Sequence, residues 1–189
     1  MSIRAQALFG ARAEEPLILV DDAGVELGTV TLADAHLPPG RRHRAFSVYL
    51  FDGEGRLLVH RRHRTKALWG GFWTNSCCSH PHHGEAVEHA AARRSGEELG
   101  LEGVALTELF AYGYRAEFED VGVEHEWVHV FAGRVEQSAV RPEPGEMDAV
   151  EWLAPEDVDA LIAGERATTP WFEMAWPRVR AVHEAGRIT

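Results

Sequence analysis

The chain has 189 residues, the size of one ordinary domain, and 45% of them are hydrophobic, enough to build a core. A formal charge of −11 excludes a general nucleic-acid surface, which would be basic, but leaves room for an anionic ligand in a locally positive pocket. No apolar run approaches a membrane span and none in the first sixteen residues reads as a secretion signal; the only cysteines, Cys77 and Cys78, are adjacent, which excludes a disulfide framework and fits a reducing cytoplasm.

Residues 1–15 mix charged and small side chains and are expected to be frayed and flexible, leaving residues 16–189 as a single domain. The apolar run 17–20 stops at Asp21-Asp22-Ala23-Gly24 and reads as a strand closed by a turn. Residues 31–36 read as a short helix closed by Pro38-Pro39-Gly40. Residues 44–51 and 57–60, separated by Asp52-Gly53-Glu54-Gly55, read as a hairpin. Residues 85–99 are the clearest helix, alanine-rich with Gly100 just past the end. Strands are expected near 106–114, 124–135 and 150–153, and helices near 156–163 and 170–185, each opened by a proline. Strands dominate the middle with helices at intervals, so the class is α+β with a mixed sheet.

His36, His43, His80, Glu124 and Glu126 are a set of nitrogen and oxygen donors suited to a divalent ion. In a strand, Glu124 and Glu126 point to one face, roughly 7 Å apart at Cα, and His125 and His129 point to the other. Cys78, two residues before His80 and among polar neighbours, is a candidate reactive thiol, whereas Cys77 reads as buried. A thiol beside a metal with a carboxylate across from it suggests proton transfer rather than a structural zinc knot. Arg61 to Lys66 form a basic cluster in an acidic chain, able to clamp phosphate. On the helix, Glu85, Arg93, Glu97, Glu98 and Gly100 have the spacing of a Nudix box, but Arg94 stands where a diphosphate-cleaving enzyme has a glutamate, and Ser79 where the leading glycine belongs. Val87, Ala91, Arg94 and Glu98 share one helix face.

Together these segments resemble the type 1 isopentenyl-diphosphate isomerases, a branch of the Nudix fold, from about residue 16 to residue 176. The carriers are Ala35-His36, six residues, then His43-Arg-Ala-Phe-Ser; Trp73-Thr-Asn-Ser-Cys-Cys-Ser-His-Pro81; Arg93-Arg-Ser-Gly-Glu-Glu-Leu-Gly100; Tyr114-Arg115; Glu124-His-Glu126; and Thr169-Pro-Trp, four residues, then Trp176. The resemblance implies a Nudix-like mixed sheet sandwiched by helices. It implies one divalent ion, Zn²⁺, Mn²⁺ or Mg²⁺, on His36, His43, His80, Glu124 and Glu126. A second ion, Mg²⁺, would reach the substrate diphosphate through Glu98 and a backbone carbonyl near Cys78. Cys78 and Glu126, with Tyr114 beside it, match the proton-transfer groups; Arg61, Lys66 and Arg94 match the diphosphate contacts; Trp176 matches the aromatic facing a cationic carbon.

The implied activity is isomerisation of isopentenyl diphosphate to dimethylallyl diphosphate through a tertiary carbocation, by a cytoplasmic monomer or weak dimer with no nucleic-acid or membrane partner. One departure stands out. Leu32 occupies the position, four residues before His36, where the family has a lysine that reaches the diphosphate. That leaves open a weaker site, a substitute cation such as Arg41 or Arg42, or a modified homoallylic diphosphate as substrate. A Nudix hydrolase and a metal-binding module without catalysis are the readings from other classes.

Overall fold

The computed structural model describes residues 2–188. In chain order these form α1 (Ile3–Phe9), a 3-10 turn (Gly10–Glu14), β1 (Pro16–Val20), β2 (Glu26–Thr31), α2 (Leu32–His36), β3 (His43–Phe51), β4 (Leu57–Arg62), β5 (Trp73–Thr74) and β6 (Cys77–Ser79). There follow α3 (Val87–Leu99), β7 (Thr107–Phe118), β8 (Gly122–Arg134), a second 3-10 turn (Gln137–Ala139), β9 (Met147–Leu153), α4 (Pro155–Ala163) and α5 (Pro170–Glu184).

The nine strands belong to one mixed sheet built around β3. Its successive side chains alternate faces. Phe46, Val48 and Leu50 join Ala90, Ala91 and Leu99 of α3, while Ala45, Tyr49 and Phe51 join Val158 of α4 and Phe172, Trp176 and Val179 of α5. With both faces covered, the strand reads as a nearly continuous apolar run. Each large side chain buried here contributes about 1.5–3 kcal/mol. β8 runs parallel to β3 along its whole length, and β7 runs antiparallel to β8. The expected α+β class, with helices on both faces of a mixed sheet, is what the chain forms.

α3 ends where the sequence says it should. Gly100 adopts φ +69°, and its N–H reaches the carbonyls of Ser95 and Gly96. A Cβ there would also sit 2.8 Å from Cβ of Arg141, so a side chain is excluded on two counts.

Three features depart from the sequence reading. Residues 3–14 are not frayed: Ser2 caps α1 by accepting the Ala5 N–H at 3.1 Å, Ala5 and Ala13 pack on Ala33, and Arg4 donates to the backbone carbonyls of Asp120 and Val121. β2 was not anticipated, because Gly28 interrupts its alternation; it forms by pairing with β1 at the sheet edge. The hairpin of β3 and β4 is paired only at Phe51 and Leu57. Beyond that the strands splay, and residues 73–79 are wedged between them, β5 on β4 and β6 on β3.

Leu50 is fully buried on β3. Leu50→Ala should cost about 2–5 kcal/mol in urea denaturation, whereas Met174→Ala, at an exposed site, should stay within about 0.5 kcal/mol.

Candidate active site

A cavity of about 260 Å³ opens where β3, β4, β6, β8 and α2 converge. At one end stand the imidazoles. His36 closes α2, and its Nδ1 donates to the Leu32 carbonyl at 2.9 Å. His43 opens β3, and its Nδ1 donates to the Arg41 carbonyl at 2.8 Å. A carbonyl has no proton to give, so both Nδ1 atoms carry hydrogen and both Nε2 atoms are the ones turned to the cavity. His43 Nε2 lies 3.1 Å from His80 Nε2, and Glu126 Oε1 lies 3.2 Å from the latter. Glu124 Oε2 is buried and lies 3.1 Å from His36 Nε2. Imidazole nitrogens and carboxylate oxygens thus converge on one small space, and with the rings neutral they make a donor set that suits a divalent cation.

Ligand atoms of His36, His43, His80 and Glu126 all lie within 4.8 Å of one another. Glu124 falls outside that group of four but borders the same cavity. Burial, reinforced by the neighbouring imidazoles, pushes His80 down to about 4, leaving it a neutral ligand-type nitrogen. Burial works against a charge on His36 too, but the Glu124 carboxylate outweighs it and raises it to about 8. Burial also opposes ionisation of Glu126, yet His43 and His80 hold it well below the ordinary carboxylate range. The period-two reading of β8 holds: His125 turns away to Arg42 and His129 to Glu108.

Cys78 and the Glu126–Tyr114 pair border the same space. Tyr114 lies opposite Glu126 across β7 and β8 and donates to its Oε2 at 2.6 Å. The Cys78 thiol donates to Asn75 Oδ1 at 3.1 Å and lies 3.4 Å from Ser47 Oγ. Burial pushes that thiol up to about 12 despite these contacts, so it holds its proton at neutral pH. Its side chain is not among the grouped ligand atoms. Cys77 is fully buried on the opposite face of β6, beneath α3.

The other end of the cavity is charged. Lys66 and Arg94 border it, as expected. Lys66 pairs closely with Glu146; Arg94 pairs closely with Glu98 and lies 2.7 Å from Glu97 and 3.3 Å from Glu146. Glu98 is buried, which raises its pKa against the pull of Arg94. Arg61 is displaced from its expected place. Alternation along β4 sends His60 and Arg62 to the cavity and Arg61 to the other side, 3.9 Å from Asp148. Trp176 is displaced as well: it is buried in the core and donates to Asp159 on α4 at 2.7 Å. Trp171 borders the cavity instead, its Nε1 donating to Thr74 at 3.0 Å. Five residues on a helix amount to about 140° of rotation, which separates the two tryptophans of the motif. Glu146 and His60 had been overlooked. His60 is a neutral, buried imidazole, pushed down to about 3 by burial and by Arg62 and Lys66. No local pattern marks either residue, since each reaches the cavity only through the pairing of β4 with β9 or the turn before it.

Residues 41–172 match the NUDIX domain family model. The isopentenyl-diphosphate Delta-isomerase of Nocardia farcinica is 46% identical over 82% of the chain and 89% of that protein. The protein of that name from Streptomyces coelicolor is 43% identical over 87% and 85%, and one from Photorhabdus laumondii 34% over 89% and 97%. The chain belongs to the isopentenyl-diphosphate Delta-isomerase branch of the NUDIX family. Solved structures agree on the fold: a Deinococcus radiodurans protein superposes with a TM-score of 0.72 at 24% identity, covering 87% of this chain and 98% of that one. A MutT NUDIX hydrolase from Burkholderia pseudomallei gives 0.59 at 22%, covering 73% and 98%.

The box acids of this chain are held in ion pairs. Glu85 is clamped by Arg93 at 2.8 and 2.9 Å, which holds its carboxyl down to about 2, and Glu97 pairs with Arg93 and Arg94. Of the box acids only Glu98 reaches the cavity.

If the imidazoles hold a divalent ion, His43→Ala and His80→Ala should each lose it, while His125→Ala keeps it. Elemental analysis of gel-filtered protein reads the difference.

Proposed function

We propose that the chain is an isomerase converting isopentenyl diphosphate to dimethylallyl diphosphate. The observation that carries this is one cavity bordered by a protonated thiol, Cys78, and an ionised carboxylate, Glu126 with Tyr114. The reaction adds a proton to the terminal alkene carbon and removes one from C2, so it needs a proton donor and a proton acceptor in contact with one substrate. Positive charge develops on the tertiary carbon between these events. Trp171 and Tyr114, with ring centroids 6.4 Å apart, offer π faces there, worth roughly 2 kcal/mol when desolvated. Leu68 and Phe9 help close the space against water, which would trap the cation.

His36, His43, His80 and Glu126, with Glu124 completing the set, would hold a resident divalent ion; Zn²⁺, Mn²⁺ and Mg²⁺ all suit these donors. When bound, that ion fixes and polarises the carboxylate that shares its site. Glu98 would hold Mg²⁺ against the diphosphate, with Arg62, Lys66 and Arg94 as its cationic contacts. The hydrolase reading is the weaker one, because Glu85 and Glu97 are held in arginine pairs away from the cavity, and Glu98, the one box acid that borders it, is itself paired with Arg94.

Incubation with isopentenyl diphosphate in D2O and Mg²⁺ should give dimethylallyl diphosphate carrying deuterium, with no phosphate released from a nucleotide panel. Phosphate release without isomerisation would reverse the assignment. Cys78→Ala and Glu126→Gln should abolish turnover, the latter read together with its metal content, and Cys77→Ala should keep most of it. Trp171→Leu should lower kcat on the order of tenfold. Trp176→Leu should lower the melting temperature and leave kcat near the parent value. Arg62→Ala should raise KM more than Arg61→Ala.

A further inference from the structure

One wall of the cavity is apolar, formed by Leu8, Phe9 and Leu32. A single charged side chain, Arg12, borders the cavity from that wall. Its partner is Glu15, reached through Nε at 2.8 Å. The guanidinium has five N–H donors, and the four on its Nη atoms have no acceptor among the described residues. The side chain is 56% exposed, so the Glu15 pair is of the surface kind that holds a guanidinium only weakly.

The other cations of the cavity are differently placed. Lys66 and Arg94 already face Glu146, Glu97 and Glu98. Arg62 gives Nη2 to the Leu68 carbonyl and lies 5.5 Å over the Trp171 ring. Arg42 is engaged by Asp22 and His125 and does not border the cavity, and neither does Arg41. None of these cations stands on the wall that carries Leu32. Arg12 is also held in place: the Leu32 N–H donates to the Glu15 carbonyl at 2.8 Å, and Ala13 is buried against Ala33.

We propose that Arg12 is a diphosphate-binding residue, brought to the cavity by the α1 and 3-10 segment so that its free Nη fork takes phosphate oxygens from the wall that carries Leu32. The identity of the ligand rests on the isomerase reading; the anion site does not. A planar fork with two free ends suits phosphate oxygens in a bidentate contact. Because the contact lies away from the reacting carbons, it acts on binding more than on the chemical step.

Two measurements on purified full-length variants test this. Arg12→Gln should raise KM for isopentenyl diphosphate about tenfold or more with kcat little changed, and Arg12→Lys should recover part of the loss. Placing a cation on the same wall, Leu32→Lys in the Arg12→Gln background, should recover KM as well. In parallel, titration calorimetry with inorganic pyrophosphate and Mg²⁺ should show the same loss and the same recovery. Unchanged KM and unchanged pyrophosphate affinity in Arg12→Gln would overturn the proposal, as would a fall in kcat at constant KM. A wild-type protein that binds pyrophosphate through Arg12 but does not isomerise would leave Arg12 assigned and remove the isomerase reading.

Discussion

Everything in the cavity depends on how residues 73–79 are held between β3 and β4. Asn75 does most of this. Its Nδ2 donates to the Val48 and Cys77 carbonyls, both at 3.0 Å, and its Oδ1 accepts from Thr74 and from the Cys78 thiol. Ser76 adds a bridge, accepting the Leu50 N–H at 2.8 Å and donating to the Leu58 carbonyl at 2.7 Å. Both residues are fully buried. Polar groups in such a place are stable only when all are satisfied, and here they tie β3 to β4 where the ladder between them has been broken. The same amide that closes the gap also aims Cys78, so the fold and the thiol share one hydrogen-bond network.

The cavity separates two kinds of electrostatics. Around Cys78, Tyr114 and Trp171 lie a protonated thiol, aromatic rings and the Glu126 carboxylate, suited to a proton transfer and a transient cation. Around Lys66, Arg94, Glu98 and Glu146 charges of both signs are packed together. A preformed mixture of this kind keeps the cations in place without leaving a large unpaired positive charge inside a chain of net charge −11. An entering anion with its own divalent ion then brings a complement to each sign: phosphate for the arginines and lysine, metal for the carboxylates.

Much of this was legible beforehand because the informative motifs have local periods. Alternation in 124–129 sorted metal-type glutamates from surface histidines, and helical spacing put Arg94 beside Glu98. The failures came where an assignment turned on absolute register or on distant pairing. Arg61 and Arg62 are chemically identical, and only the pairing of β4 with β5 and β9 decides which faces inward. Trp171 and Trp176 sit on one helix, and only its docking against Thr74 and Asp159 tells them apart. The segment 3–14 gains its order from α2 and the β7–β8 turn, contacts with no local signature. Glu146 has the same excuse.

One fold can serve different chemistries through the residues placed on it, and the helix Val87–Leu99 is where this chain departs from a cleaving site. A cleaving site must gather several carboxylates so that metal ions can activate water beside the phosphate. Here Glu85 and Glu97 are neutralised by Arg93 and Arg94, and the position between them carries positive charge. The helix end thereby offers a cation where an attacking site would gather carboxylates. The donors suited to a divalent ion lie elsewhere, on α2, β3, β8 and at His80 just after β6, next to the thiol. The charged end of the cavity is built by α3 and the segment around Lys66, and the thiol end by other elements, so the two ends rest on separate parts of the fold.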